Sequence, residues 1–95
     1  MTIAVLTVRL RLPSRTLKEK RSIVKSVVER LRQRYNATVI EAEDLDEAGL
    51  ATIAAAVLSN ESRHADAQVQ EIASTIAGWR LDAEVLEVSV ELIDA

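Results

Sequence analysis

Apolar and polar residues alternate near both ends of this chain and repeat at helical spacing in between. Over residues 2–12, Ala4, Leu6, Val8, Leu10 and Leu12 share one face, and Ile3, Val5, Thr7, Arg9 and Arg11 share the other, which predicts a strand. Pro13 and Ser14 stop it. Thr16 with Glu19 three residues on has the form of a capping box. Leu17, Val24, Val28, Leu31 and Tyr35 then recur at helical spacing, widened by Ile23 and Val27. Asn36 is placed to end this helix in the left-handed conformation that Asn tolerates.

Residues 37–43 predict a second strand, with a turn around Asp44 to Gly49. Leu50 to Leu58 predicts a third, apolar on both faces and therefore central or covered by a partner, although its alanines also suit a helix. Asn60 can cap a second helix whose inner face is Ala65, Val69, Ile72, Ile76 and Trp79. Alternation returns over residues 83–93, with Leu86, Val88, Val90 and Leu92 inward and Glu87, Ser89 and Glu91 outward. The order strand–helix–strand–strand–helix–strand, with right-handed and unknotted connections, points to a single ferredoxin-like βαββαβ α+β sandwich spanning residues 1–95. Two helices would cover one face of a four-stranded antiparallel sheet, and the other face would stay open or meet a partner.

Composition narrows the chemistry. A chain of 95 residues without Cys has no disulfide, thiolate nucleophile or Cys-based zinc site. His64 is the only histidine, and it suits a surface or helix-end role better than catalysis or metal ligation. Gly49 and Gly78 are too far apart for a phosphate-binding glycine loop, and no nucleophile-elbow sequence is present. We therefore expect no enzyme and no cofactor. The acids Glu41, Glu43, Asp44, Asp46 and Glu47 fit no calcium loop and suit a solvated turn beside a strand edge. No apolar run approaches the roughly 18 residues of a membrane span, so a cytoplasmic protein is the expectation.

The net charge of −3 conceals an asymmetry. Residues 1–40 carry ten Lys or Arg against two acids, and residues 41–95 carry two against thirteen. On the first helix, Lys18, Arg21, Lys25 and Arg32 fall within about 60° of one another, a stripe roughly 21 Å long. Arg15, Lys18, Lys20 and Arg21 crowd the helix N-terminus, where the peptide dipoles are already positive and cations are mildly unfavourable. Such an end can receive an anion. The expectation is contact with nucleic-acid phosphate, RNA or the ribosome, through Arg15, Lys18, Lys20, Arg21, Lys25 and Arg32. A merely solvated basic face explains the same residues equally well.

No predicted strand carries an aromatic residue, and Tyr35 and Trp79 sit near helix ends, assigned to the core. RNA contact would then read backbone shape more than bases. Arg9 and Arg11 can face Glu87 and Glu91 across the first and last strands. A second reading uses the open sheet face, where Ile3, Val5, Val85, Ile93 and one face of the third strand could bind a protein or small ligand, or form a homodimer. Scattered surface aliphatics would need no such explanation.

The segment Leu17-Lys18-Glu19-Lys20-Arg21 after Leu12-Pro13, the stretch Arg30-Leu31-Arg32-Gln33-Arg34-Tyr35-Asn36 and the pair Ser59-Asn60 resemble the small bacterial YlxP-like family along essentially the whole chain. That resemblance implies a ferredoxin-like fold, an unassigned function and a setting beside translation and ribosome-maturation genes. Members often carry an Asp-x-Trp-Gln-like motif between the second and third strands. Here that region reads Asp44-Leu45-Asp46-Glu47-Ala48, so no role of the Trp carries over.

Overall fold

The computed structural model describes residues 1–79 and 82–95. Its elements are β1 (Thr2–Arg11), α1 (Leu17–Arg34), β2 (Thr38–Glu43), β3 (Leu50–Ser59), α2 (Ser62–Gly78) and β4 (Glu84–Asp94). The strands form one antiparallel sheet in the order β2-β3-β1-β4, the ferredoxin-like α+β arrangement. β3 is central, which accounts for its apolar residues on both faces. Its alanines are no obstacle there, because small side chains let the neighbouring layers approach closely.

The helices share one face of the sheet. α1 packs on β2, and α2 packs on β1 and β3. Between them lies an aliphatic core in which Leu6, Val8, Leu31, Val39, Ile53, Val69 and Ile72 are almost fully buried. β4 lies at the margin of the helix layer, touched by α2 and packing Val90 against the core. Its nominally inward residues Val88 and Leu92 remain about half exposed, so the sequence alternation there marks a strand without marking a covered one. A bulge in β4 skips Leu86, placing Val85 opposite buried Leu10 and off the open face expected for it.

The helix ends differ from expectation in instructive ways. Thr16 does cap α1: its Oγ1 accepts from the Glu19 N–H at 3.2 Å and lies 3.2 Å from Glu19 Oε1. At the other end the chain leaves α1 through Tyr35 in extended conformation, and Asn36 adopts no left-handed φ. Turning outward there buries the Tyr35 ring and brings its hydroxyl to 2.6 Å from Thr75 Oγ1 on α2. Asn60 does not cap α2. Glu61 occupies that position without a side-chain cap, and Ser59 Oγ accepts the Glu61 N–H at 3.1 Å.

Lys20 is the surprise inside the core. It sits on the buried stripe of α1 with Val24, Val27, Val28 and Leu31, and none of its surface is exposed. Its ammonium reaches Glu41 Oε2 on β2 at 2.9 Å, without the alignment of a directed hydrogen bond, and donates to the Asp44 carbonyl. Removing one member of a buried pair strands the other charge, whereas replacing both with apolar groups removes the desolvation cost as well. Glu41→Leu is therefore expected to cost about 3 kcal/mol, and the Lys20→Met/Glu41→Leu double variant to lie within about 1 kcal/mol of the parent. Chemical denaturation checks this, and a silent Glu41→Leu variant would show that the pair does not bear on stability.

Candidate nucleic-acid interface

The first turn of α1 is fixed to the sheet before any ligand is considered. Leu12 N–H donates to the Gly49 carbonyl at 2.8 Å, and Ser14 Oγ donates to the Ala48 carbonyl at 2.6 Å. The β1–α1 connection and the β2–β3 turn are thereby joined, and Lys20 adds the third tie. What projects outward from this end is held by backbone contacts.

The six predicted phosphate contacts divide into two groups. Arg15, Lys18, Arg21 and Lys25 are exposed. Three ion pairs form among the described residues, and none involves these four. This holds although Asp46 and Glu47 lie exposed in the turn that Ser14 grips. The other two are engaged within the protein, Lys20 fully buried and Arg32 exposed but bonded to the backbone. Lys20 is buried against Glu41, so it is unavailable to a solvent-borne phosphate. Arg32 directs its guanidinium to the Val39 carbonyl, with Nη2 at 2.6 Å and Nε at 3.2 Å. Glu29 also sits at the azimuth of the stripe, between Lys25 and Arg32. The continuous cationic surface thus runs from Arg15 to Lys25, roughly 15 Å along the helix, shorter than the sequence stripe implied.

The open sheet face has its own polar center. Thr7, Arg9, Glu43, Thr52, Glu87 and Ser89 line a cleft of about 240 Å³. Arg9 stands opposite Glu87 as expected, but its guanidinium turns to Asp44, with Nε at 3.2 Å from Oδ2 and Nη2 at 3.4 Å from Oδ1. Arg11 pairs with Glu84 at 3.2 Å, and Glu91 lies opposite Val5 instead. Thr52 Oγ1 donates to Asp44 Oδ2 at 2.7 Å. Asp44 itself has φ 62°, a left-handed conformation that Asp tolerates better than most residues. The acids read as a solvated turn are therefore split: Glu41 and Asp44 are internal ion partners, and Glu43, Asp46 and Glu47 are exposed. Among the described residues no group of His and acids is arranged to hold a metal ion, and His64 is exposed on α2.

This network sets the protonation of its members. The hydrogen bond from Thr52 and then that from Arg9 hold the Asp44 carboxyl below the ordinary aspartate range, with partial desolvation opposing and the Arg9 and Lys20 charges assisting. Asp44, by hydrogen bond and then by charge, raises Arg9, with Glu87 and Glu43 adding to it and burial opposing. Arg9 is thus already neutralised by its own protein and is a poor anchor for an incoming anion. Sequence reasoning missed Asp44 because its partners lie on two other strands.

Trp79 packs against the core from a helix end as expected, but not fully. It caps the C-terminus of α2 only partly buried, and the Arg30 guanidinium lies 5.7 Å from its ring centroid. No helix among the described residues is long and apolar enough to cross a membrane.

A family model described as "Protein of unknown function (DUF503)" matches residues 3–90. No curated protein matches the chain.

Because folding lowers the Asp44 pKa, its contribution is complete above the unfolded carboxylate range and is lost as pH falls through the lowered folded value. Asp44→Asn keeps a residue at home in the left-handed conformation while removing the charge. It is expected to destabilise the protein at neutral pH, with the gap to the parent narrowing as pH falls below the ordinary aspartate range and through the lowered folded value. Urea midpoints across that range measure it, and a gap that stays constant with pH would refute the ionic role.

Proposed function

This chain belongs to the DUF503 family of proteins of unknown function, and we propose that it binds RNA, free or in the ribosome, by laying the exposed N-terminal half of α1 against phosphates. The observation that carries this reading is the separation of the cations. Arg9, Arg11 and Lys20 are paired to acids, whereas Arg15, Lys18, Arg21 and Lys25 are exposed and unpaired among the described residues. Their charges also crowd a helix end whose dipole disfavors them, a cost that a bound polyanion reverses. The ties through Leu12, Ser14 and Lys20 hold that end in place, so little ordering is required on binding.

The aliphatics of the sheet favor a second, separate reading. Ile40, Leu58 and Ile93 on the open face and Val88 and Leu92 on the helix side of β4 are all at least 40% exposed. A second copy laid on the open face would bury Ile40, Leu58 and Ile93.

Four phosphate contacts to a single strand correspond to a salt slope near −3, or about a 50-fold loss of affinity between 50 and 200 mM salt. Lys18→Glu with Arg21→Glu and Lys25→Glu is expected to abolish binding with the fold intact by circular dichroism. Absence of binding at low salt sinks the RNA reading. For the second reading, sedimentation equilibrium should show a dimer that Leu58→Lys dissociates, and a strict monomer at high concentration rules it out.

A further inference from the structure

We infer that the far end of α1 forms a stacking site for one unpaired nucleobase, built on Trp79, so that the RNA bound is single-stranded. This rests on the proposed phosphate contact and adds a ligand class to it. Arg30, Gln33 and Arg34, from the last turns of α1, and Trp79, from the end of α2, line an open groove of about 310 Å³. The indole is only partly buried, and the Arg30 guanidinium already lies over its ring at 5.7 Å. A planar, delocalised group thus occupies a ring face in the free protein.

A nucleobase is the same kind of partner with a larger π-surface, and base stacking on an aromatic outweighs an exposed cation–π contact. The base takes the place of the guanidinium over the indole. Arg30 is then released toward the base edge or the neighbouring phosphate. Gln33, exposed in the same groove, carries both a donor and an acceptor for a base edge. Arg34 supplies a second cation beside it, its guanidinium 5.6 Å from the Tyr35 centroid. Gln33 lies eight residues beyond Lys25, roughly 12 Å along the helix axis. The groove lies about 140° round α1 from Lys25, measured to Arg30, so a strand whose phosphates follow Arg15 to Lys25 reaches Trp79 by crossing the exposed ridge of the helix at Glu29 and Gln33. A duplex keeps its bases stacked inside and cannot offer one.

Trp79 is the only tryptophan, so its fluorescence reports this groove alone. The full chain is titrated with labelled oligoadenylate RNA, following anisotropy for binding and tryptophan emission for stacking. Duplex RNA and inorganic polyphosphate serve as phosphate-only probes. The expected result is quenching that tracks oligoadenylate binding, with polyphosphate competing for the protein but leaving emission unchanged. Trp79→Leu is expected to weaken single-strand binding about ten-fold and duplex binding not at all, while Trp79→Phe, which keeps a stacking ring and controls for folding, retains most of the affinity. Oligoadenylate binding with unaltered emission, or a folded Trp79→Leu variant that binds as tightly as the parent, overturns the stacking site and leaves the phosphate reading standing. No binding of any RNA at low salt overturns both.

Discussion

The domain turns on one residue in a left-handed conformation, Asp44, which is bound from both sides of the sheet. Its carbonyl accepts the buried Lys20 ammonium from the helix layer, and its carboxylate accepts Thr52 and Arg9 from the open face. Such a contact is costly to assemble, since a lysine with no exposed surface must be compensated by Glu41 and a carbonyl together. Once made, it fixes the register between α1, the end of β2 and the strands β1 and β3. An apolar residue at position 20 would fill the space without specifying which part of the β2–β3 turn lies above it.

That junction also decides which charges face the solvent. The first forty residues hold most of the cations and the remainder most of the acids, so folding brings the two sets together. Lys20, Arg9 and Arg11 find acids on β2, the following turn and β4. Arg32 finds a backbone carbonyl, and Arg30 and Arg34 lie over aromatic rings. The residue of this sorting is a compact group of cations at one helix end, with polar and aromatic groups at the other. Phosphate contact and base contact would thus be divided along a single helix that the junction holds rigid.

β4 shows a different consequence of the same packing. α1 lies over β2, where Lys20 meets Glu41, and α2 lies chiefly over β1 and β3, so the helix layer covers the last strand only in part. Val88 and Leu92 have the alternation of core residues and yet stay half exposed. Periodicity reports which face of a strand an aliphatic residue occupies. Whether a helix stands over that face depends on where the other elements were pulled.

The sequence alone determined the capped start of α1 and pointed to the element order and the ferredoxin-like topology, because alternation, helical spacing and capping are local properties of neighbouring residues, while the central place of β3 waited on the sheet order. The charge asymmetry was legible for the same reason. Tertiary structure alone decided which basic residues remain free, since Lys20 and Lys18 differ by two positions and no local rule tells a lysine that meets Glu41 from one that meets water. It also decided that Asp44 is an ion partner of Arg9 and that Trp79 borders a groove with Arg30. Both depend on residues 35 and 49 positions apart, brought together only when the sheet and both helices are in place.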